Sequence, residues 1–215
     1  EFGFRRLKER LLEMEQASSP AVWEADYHLV ATRDQLDQLV ESLSSQQRIS
    51  VDTETTSLDP RQAMIIGYSF CWQAGEAYYV PVKAPEGQPQ LDPDEVREVL
   101  RPILEDPGIQ KIGQNLKYDI VALRSEGIRL QGVSFDTMVA DYLDKPGQRS
   151  HSLDDLSRRY LNHVMIPISD LIGSGRNQKR LDEIDVEQVA QYAAEDADVP
   201  IRIADQLREQ LEEKG

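Results

Sequence analysis

Apolar and polar residues alternate in some parts of the chain and recur at helical spacing in others, and this division marks the predicted elements. Strands are predicted at about 27–31, 48–54, 64–72, 77–82, 111–114 and 132–135. Helices are predicted at 33–43, 93–104, 116–126, 136–143, 152–161 and 186–213. We expect the second, third and fourth strands to be antiparallel neighbours. The pattern therefore predicts an α/β fold, with a mixed β-sheet flanked by α-helices.

The first twenty residues follow a separate pattern. Phe4, Leu7 and Leu11 have near-helical spacing, which predicts a helix over 4–14, and the run Gln-Ala-Ser-Ser-Pro at 16–20 is typical of a linker. At 215 residues, the chain has the size of one α/β domain with a short extension. We therefore divide it into an N-terminal helix and linker at 1–20 and a main domain at 21–215.

Carboxylates occur in three separated segments, at spacings that would bring them together. Asp52 and Glu54 end a predicted strand and lie two residues apart, so both side chains would project from one face. Asp119 follows Asn115 by four residues, and Asp196 follows Tyr192 by four, which places each pair on one face of a helix. The spacing thus suggests four carboxylates that converge from three elements.

Four ionised carboxylates in one pocket would carry a charge of about −4, and such crowding would force some of them to stay protonated. Two divalent cations would remove this conflict. Oxygen ligands favour hard cations such as Mg²⁺ or Mn²⁺ over zinc or copper. A pair of metal ions roughly 3.5–4 Å apart can activate a water and stabilise the leaving 3′ oxygen in phosphodiester hydrolysis. The sequence therefore predicts two divalent metal ions held by Asp52, Glu54, Asp119 and Asp196.

These segments resemble the three motifs of a known family, the DEDDy 3′–5′ exonucleases. The matching runs are Val-Asp-Thr-Glu-Thr-Thr-Ser-Leu-Asp at 51–59, Gly-Gln-Asn-Leu-Lys-Tyr-Asp at 113–119 and Tyr-Ala-Ala-Glu-Asp-Ala-Asp at 192–198. The likeness covers residues 27–213 and is greatest to the proofreading domain of bacterial family A DNA polymerases. It implies an RNase H-like fold and a two-metal-ion exonuclease that removes 5′-mononucleotides from single-stranded or frayed DNA 3′ ends. The opening segment also resembles the tail of the 5′ nuclease domain that precedes the proofreading domain in these polymerases.

The resemblance implies roles for further residues. Tyr192 would orient the attacking water, because a tyrosine with a pKa near 10 is a poor base at neutral pH; the sister subclass has a histidine at the position of Gln191. Leu58 matches a wedge between the last two bases, although an apolar core residue would fit the pattern as well. The remaining substrate contacts would be made by Thr55, Thr56, Gln114 and Asn115.

Other polar residues in or near the motifs have a simpler interpretation. We expect Asp59, Glu195 and Asp198 to belong to turns, helix caps or solvated faces. The three histidines, His28, His151 and His163, are too scattered along the chain to form a metal site. Ser152 is a plausible N-cap for the helix that follows His151.

Pro200 departs from the family pattern. It lies four residues after Asp196, inside the predicted last helix, where its ring would clash with the Asp196 carbonyl and its missing N–H would leave that carbonyl unpaired. The sequence therefore predicts a kink or local unwinding close to the last metal ligand.

Composition bears on partners and location. The net charge of −15 is unusual for a nucleic-acid-binding protein, so we expect weak affinity for DNA unless an attached polymerase domain in a longer chain delivers the 3′ end. No apolar run reaches 18 residues, so no membrane partner is expected. Cys71, the single cysteine, lies in an apolar run and suggests a buried thiol in a reducing compartment. The resemblance to bacterial polymerases implies that this compartment is the bacterial cytoplasm, near the nucleoid. We expect a monomer.

Two alternatives remain open at this stage. An RNase D-like RNA 3′-end exonuclease would use the same chemistry, but the sequence contains no C-terminal helical RNA-binding domain. A catalytically silent structural domain of the polymerase is the second alternative, and the four retained carboxylates argue against it.

Overall fold

A computed structural model describes residues 23–214 of the chain. Within that range the strands are β1 (Asp26–Leu29), β2 (Arg48–Thr55), β3 (Ile65–Gln73), β4 (Glu76–Pro81), β5 (Gln110–Gly113) and β6 (Val133–Asp136). The helices are α1 (Arg33–Ser44), α2 (Pro93–Leu104), α3 (Leu116–Ser125), α4 (Thr137–Asp144), α5 (Leu153–Leu156), α6 (Ile168–Ile172) and α7 (Val186–Lys214). The helix predicted at 4–14 and the linker at 16–20 lie outside the described residues.

The strands form one mixed sheet with the order β1-β4-β3-β2-β5-β6. The predicted antiparallel pairing of β2 with β3, and of β3 with β4, is confirmed. The remaining neighbours pair in parallel, so β3 alone runs against the other described strands. This is the α/β, RNase H-like arrangement expected from the motifs.

The two faces of the sheet are covered by different helices. On one face, Phe70 and Val51 belong to a core with apolar residues of α1, α2 and α3, including Leu36, Leu100 and Leu123. On the other face, small residues of α7 such as Ala194 and Ala197 pack against Cys71 of β3, and their size lets the helix lie close to the strands. Cys71 is buried and free, as predicted. Because neighbouring strand residues point to opposite faces, Asp52 and Glu54 project towards α7.

Helix α7 is continuous from Val186 to Lys214 and includes Pro200. The predicted local unwinding after Asp196 is therefore wrong, and the kink stays a prediction. Pro200 is buried within the helix, where packing against the sheet stabilises the helical backbone around the missing hydrogen bond.

The helix predicted at 152–161 has two parts. Ser152 caps its first turn by accepting from the Asp155 amide at 3.3 Å, as predicted. From Ser157 to Leu161 the backbone is π-helical, and Arg159 and Tyr160 both bond to the buried carboxylate of Asp141. These two bonds tie the π-helical turn to α4, which carries Asp141.

No helix within residues 23–214 combines the length and the apolar composition that crossing a membrane requires.

Candidate metal centre

Three of the four predicted ligands meet between the sheet and α7. Asp52 and Glu54 project from β2, and Asp196 projects from α7, with one carboxylate oxygen of each lying within 4.8 Å of the others. Glu54 is buried, while Asp52 and Asp196 are partly exposed. The segments are 142 residues apart at their nearest, from Glu54 to Asp196, so the fold itself assembles this group.

Asp119 reaches the same strand from α3, on the opposite side of the sheet. Its Oδ1 accepts from the backbone N–H of Thr53 at 3.0 Å and from the Thr53 hydroxyl at 2.6 Å. Thr53 lies between the two β2 ligands, and its side chain points away from them because strand residues alternate. Asp119 is therefore anchored beside the three-carboxylate group but is not part of it, and its role as a ligand stays a prediction.

Burial raises the pKa values of all four carboxyl groups, and the charges of neighbouring carboxylates raise those of Glu54, Asp119 and Asp196 further. Burial raises the pKa of Asp52 to about 6, although hydrogen bonds from Ser69 and Thr53 partly offset this. Burial followed by the charges of Asp52, Asp196 and Asp119 raises the pKa of Glu54 well above its ordinary range. Burial and then the charge of Asp52 also raise the pKa values of Asp119 and Asp196. In the metal-free protein these groups therefore retain protons that isolated carboxyl groups would lose.

The donor set fits a hard divalent cation. Glu54 Oε1 is buried and has no hydrogen-bond partner among the described residues, which costs roughly 1–3 kcal/mol if nothing else satisfies it. The ion pairs within residues 23–214 all involve other acidic groups, so no lysine, arginine or histidine neutralises the cluster there. A cation ligated by Asp52, Glu54 and Asp196 would satisfy the unpaired oxygen and the excess negative charge together.

Tyr192 lies one turn before Asp196 on α7 and is partly exposed. Burial, the charge of Asp196 and the charge of Glu54 all raise the pKa of its hydroxyl. The phenol therefore keeps its proton at neutral pH, so it can donate a hydrogen bond but cannot serve as a base.

Tyr79 lies in the sheet close to the carboxylates, and the position of its ring depends on a glycine. It is buried in β4, and the charges of Glu54 and Asp52 add to burial in raising the pKa of its hydroxyl. A Cβ at Gly67, which pairs with Glu54 across β2 and β3, would lie only 2.3 Å from the Tyr79 ring. Gly67 therefore makes room for the ring beneath the carboxylates.

Thr55 and Thr56 shape the loop that follows the first motif. The Thr55 hydroxyl lies 2.5 Å from the Tyr118 hydroxyl, which joins the loop to α3. Thr56 donates its N–H to the Met64 carbonyl at 3.0 Å and accepts from the Met64 N–H at 3.1 Å. These bonds close a loop over residues 57–63 at the end of β2. Asp59 forms a turn within it, as predicted, by accepting from the Arg61 N–H at 3.1 Å.

Leu58 lies in this loop with 97% of its surface exposed. The interpretation of Leu58 as a core residue is therefore wrong. An apolar side chain so completely exposed gains nothing from folding, and it is available to contact a ligand.

The second motif is built differently from the prediction. Asn115 adopts the left-handed conformation, with φ 56° and ψ 41°, and α3 begins only at Leu116. The expectation that Asn115 and Asp119 share a helix face is therefore wrong, because Asn115 precedes the helix. Gln114 is held by the protein: its Nε2 donates to the His151 carbonyl at 2.8 Å, and its Oε1 accepts from Thr137 at 2.5 Å.

Asp136 is a structural contributor that the sequence analysis missed. Its carboxylate accepts from the N–H groups of Asn115 and Leu116, at 3.2 and 2.8 Å, where the chain enters α3. It also accepts from Met138 and Val139 at 3.0 and 3.2 Å, which begin α4. An aspartate immediately before a helix is a recognisable N-cap signal, but the second helix it serves is distant in sequence. Asp136 thus ties the second motif to α4.

Glu195 and Asp198, which flank Asp196, are both buried, so the expectation of a solvated face is wrong for each. Glu195 accepts from His163 Nε2 and from the Ile166 N–H, both at 2.7 Å. Asp198 accepts from Tyr27, the Gly75 N–H and Arg202, each at 2.9 Å. They hold other segments against α7.

Comparisons with known proteins agree with this geometry. Residues 27–212 match the family described as 3′–5′ exonuclease. The chain is 42% identical over 204 residues to DNA polymerase I of Pseudomonas aeruginosa, covering 92% of this chain and 22% of the relative. It therefore spans about a fifth of that protein's length.

Two solved structures share the fold. Brucella melitensis NrnC bound to pGG has a TM-score of 0.64 at 21% identity, covering 89% of this chain and 83% of that one. The catalytic core of RRP6 from Trypanosoma brucei has a TM-score of 0.66 at 19% identity, covering 89% and 48%. With the family match and the 42% identity, the three motifs and their assembled carboxylates establish that this chain belongs to the 3′–5′ exonuclease family found in DNA polymerase I.

Proposed function

We propose that the chain is a two-metal-ion exonuclease that removes 5′-mononucleotides from the single-stranded or frayed 3′ end of DNA. The observation that carries the proposal is the group formed by Asp52, Glu54 and Asp196, with a buried and unpaired Glu54 oxygen. Asp119 adds a fourth negative charge beside Asp52. When bound, divalent cations supply positive charge against the scissile phosphate and lower the pKa of the attacking water.

The chain's own residues then perform distinct tasks. Asp52, Glu54 and Asp196 would hold one cation, and Asp52 and Asp119 would support the second. Tyr192 retains its proton, so its hydroxyl donates a hydrogen bond that orients the water. The backbone and side chains of Thr55, Thr56, Gln114 and Asn115 align the terminal nucleotides against this group.

Leu58 gives the site its preference for single strands. Its exposed side chain stands in the loop next to the β2 ligands and inserts between the last two bases. Separating stacked bases costs a few kcal/mol in a duplex, and it costs less at a frayed or mismatched end. This difference would let the enzyme act mainly on mispaired 3′ ends, which is the discrimination that proofreading needs.

Charge around the site limits how tightly DNA binds. Among the basic residues after Arg149, Arg159 pairs with Asp141, Arg158 with Asp155 and Arg180 with Asp182. Their charges are partly cancelled before any phosphate approaches. We therefore propose that a polymerase domain in the same full-length chain delivers the 3′ end, and that this takes place in the bacterial cytoplasm at the nucleoid.

A degradation assay tests the proposal. A 5′-labelled single-stranded DNA and an RNA of the same sequence would each be incubated with Mg²⁺, Mn²⁺ or EDTA. We expect a metal-dependent ladder that shortens from the 3′ end of the DNA and is absent with Asp52→Ala. Cleavage of RNA alone would instead favour an RNase D-like activity, and a folded but inactive protein would favour a silent structural domain.

A further inference from the structure

Trp23, which precedes β1, is enclosed between a histidine and an arginine. Its ring is stacked on His163 with centroids 3.5 Å apart and planes 7° apart. The Arg202 guanidinium carbon lies over the same ring, 3.9 Å from its centroid. Two planar groups this close to one centroid must cover opposite faces, so the order is His163, Trp23, Arg202. Both the aromatic stacking and the cation–π contact are attractive.

Both ends of this stack are anchored on the helix that carries Asp196. His163 Nε2 bonds to Glu195 Oε1 at 2.7 Å. At the other end, Arg202 is itself a residue of α7, and its Nε donates to both oxygens of Asp198, four residues earlier, at 2.9 Å. Glu195 and Asp198 are almost fully buried, with 3% and 0% of their surface exposed. His163 and Trp23 are therefore tied to α7 on both sides of Asp196, through Glu195 before it and through Arg202, which is held by Asp198, after it.

The positions of these anchors oppose rotation of the helix. Each residue of an α-helix is turned by about 100° from the one before it, so Glu195 projects about 100° and Asp198 about 160° from the direction of Asp196. They are further tied to other segments, since Ile166 donates to Glu195 at 2.7 Å and Tyr27 donates to Asp198 at 2.9 Å. Because Glu195 and Asp198 are bonded to other segments, α7 cannot rotate without breaking these bonds. The side of the helix that carries Asp196 therefore keeps a fixed orientation.

We propose that the stack of His163, Trp23 and Arg202 positions Asp196 for metal binding, with the three residues acting as positioning residues. This inference rests on the proposed function only for the identity of the metal site. Ligands must be held within about 0.5 Å of their productive geometry, and partners that orient them typically contribute 10–100-fold in metal affinity or activity. The stack also connects the segment that precedes β1 to the helix that carries Asp196.

The test compares two tryptophans that are both partly exposed. Trp23→Ala removes the middle of the stack. Trp72→Ala is the matched control, because Trp72 also stacks on an aromatic ring, Tyr78 at 4.8 Å, but packs on the face of the sheet opposite α7. Mn²⁺ binding to the 215-residue chain would be measured calorimetrically without DNA, and exonuclease kcat and KM would be measured separately.

We expect Trp23→Ala to weaken Mn²⁺ binding about 10-fold and to lower kcat with little change in the KM for DNA. Trp72→Ala should match the wild type in both measurements. His163→Gln, which can still donate to Glu195 but has no ring to stack, should weaken Mn²⁺ binding in the same direction. If Trp23→Ala failed to fold, Trp23→Phe would decide the matter, with Mn²⁺ affinity expected below that of the wild type.

Wild-type Mn²⁺ affinity in folded Trp23 and His163 variants would overturn the inference. Equal weakening by Trp72→Ala would also overturn it, because the effect would then be one of general stability. A wild-type chain that binds Mn²⁺ but degrades no DNA would refute the proposed function instead, and the binding comparison would still judge the role of the stack.

Discussion

Raising the pH should destabilise the metal-free protein, because its clustered carboxylates have raised pKa values. The pKa of Asp52 is about 6 in the folded protein, against an ordinary value of 3.8. Between these values the folded state binds more protons than the unfolded state. The stability that protonated Asp52 contributes is therefore complete below pH 4 and is lost as the pH rises through 6.

The size of the effect follows from this shift. Between pH 5 and pH 7, Asp52 alone should lower the free energy of unfolding by about 1.3 kcal/mol. For a chain of this length that corresponds to a decrease of about 3–5 °C in Tm. Glu54, Asp119 and Asp196 also have raised pKa values, so they add to the decrease. Acids with lowered pKa values, such as Asp205 beside Arg48, are ionised in both states over this range and contribute no slope.

Thermal unfolding followed by circular dichroism in EDTA, at pH 5, 6 and 7, measures this dependence. Burial lowers the pKa of Lys111 to about 8, so this lysine would begin to titrate above pH 7. The measurement therefore stays at pH 7 and below. Asp52→Asn should flatten the profile, and saturating Mn²⁺ should raise Tm more at pH 7 than at pH 5, where protons compete for the ligands. A Tm in EDTA that is equal or higher at pH 7 than at pH 5 would refute the reasoning.

Three further predictions concern single residues. Asp52→Ala should abolish DNA cleavage, whereas Tyr192→Phe should leave measurable activity because it removes an orienting bond and no ligand; the reverse order of damage in kcat would contradict these roles. Gly67→Ala should displace the Tyr79 ring and cost about 1–3 kcal/mol in the free energy of unfolding by denaturant, so unchanged stability would show that the ring moves freely. Leu58→Ala should leave stability within about 0.5 kcal/mol, since the side chain is exposed, but reduce the preference for mismatched over paired 3′ ends; an unchanged ratio of cleavage rates would exclude the wedge.

Elements with strong local signals were predictable from sequence. Helix α2 begins at Pro93 and ends at Leu104 as expected, because Asp92 accepts from the Asp94 and Glu95 N–H groups and proline suits the first turn. The convergence of Asp52 and Glu54 with Asp196 was also expected, since strand alternation and the motif resemblance both indicated it.

Features that depend on distant partners were not predictable in the same way. Glu195 and Asp198 resemble surface acids in the sequence, and only the fold brings His163 to Glu195 and Tyr27 to Asp198. The bond between Asp119 of α3 and Thr53 of β2 likewise joins two elements that are far apart in the sequence. Pro200 is the opposite case, because its local signal is strong but misleading. A proline tends to end a helix, yet the packing of α7 outweighs this preference.

The wide separation of the ligands along the chain has a consequence for biosynthesis. Asp52 and Glu54 are synthesised before Asp196, which follows only after another 142 residues, on a helix that must dock against nearly the whole sheet. A nascent chain that ends before α7 has the first two motifs and lacks the third. The proposed hydrolytic site should therefore form abruptly, once α7 has been synthesised and closes over the strands.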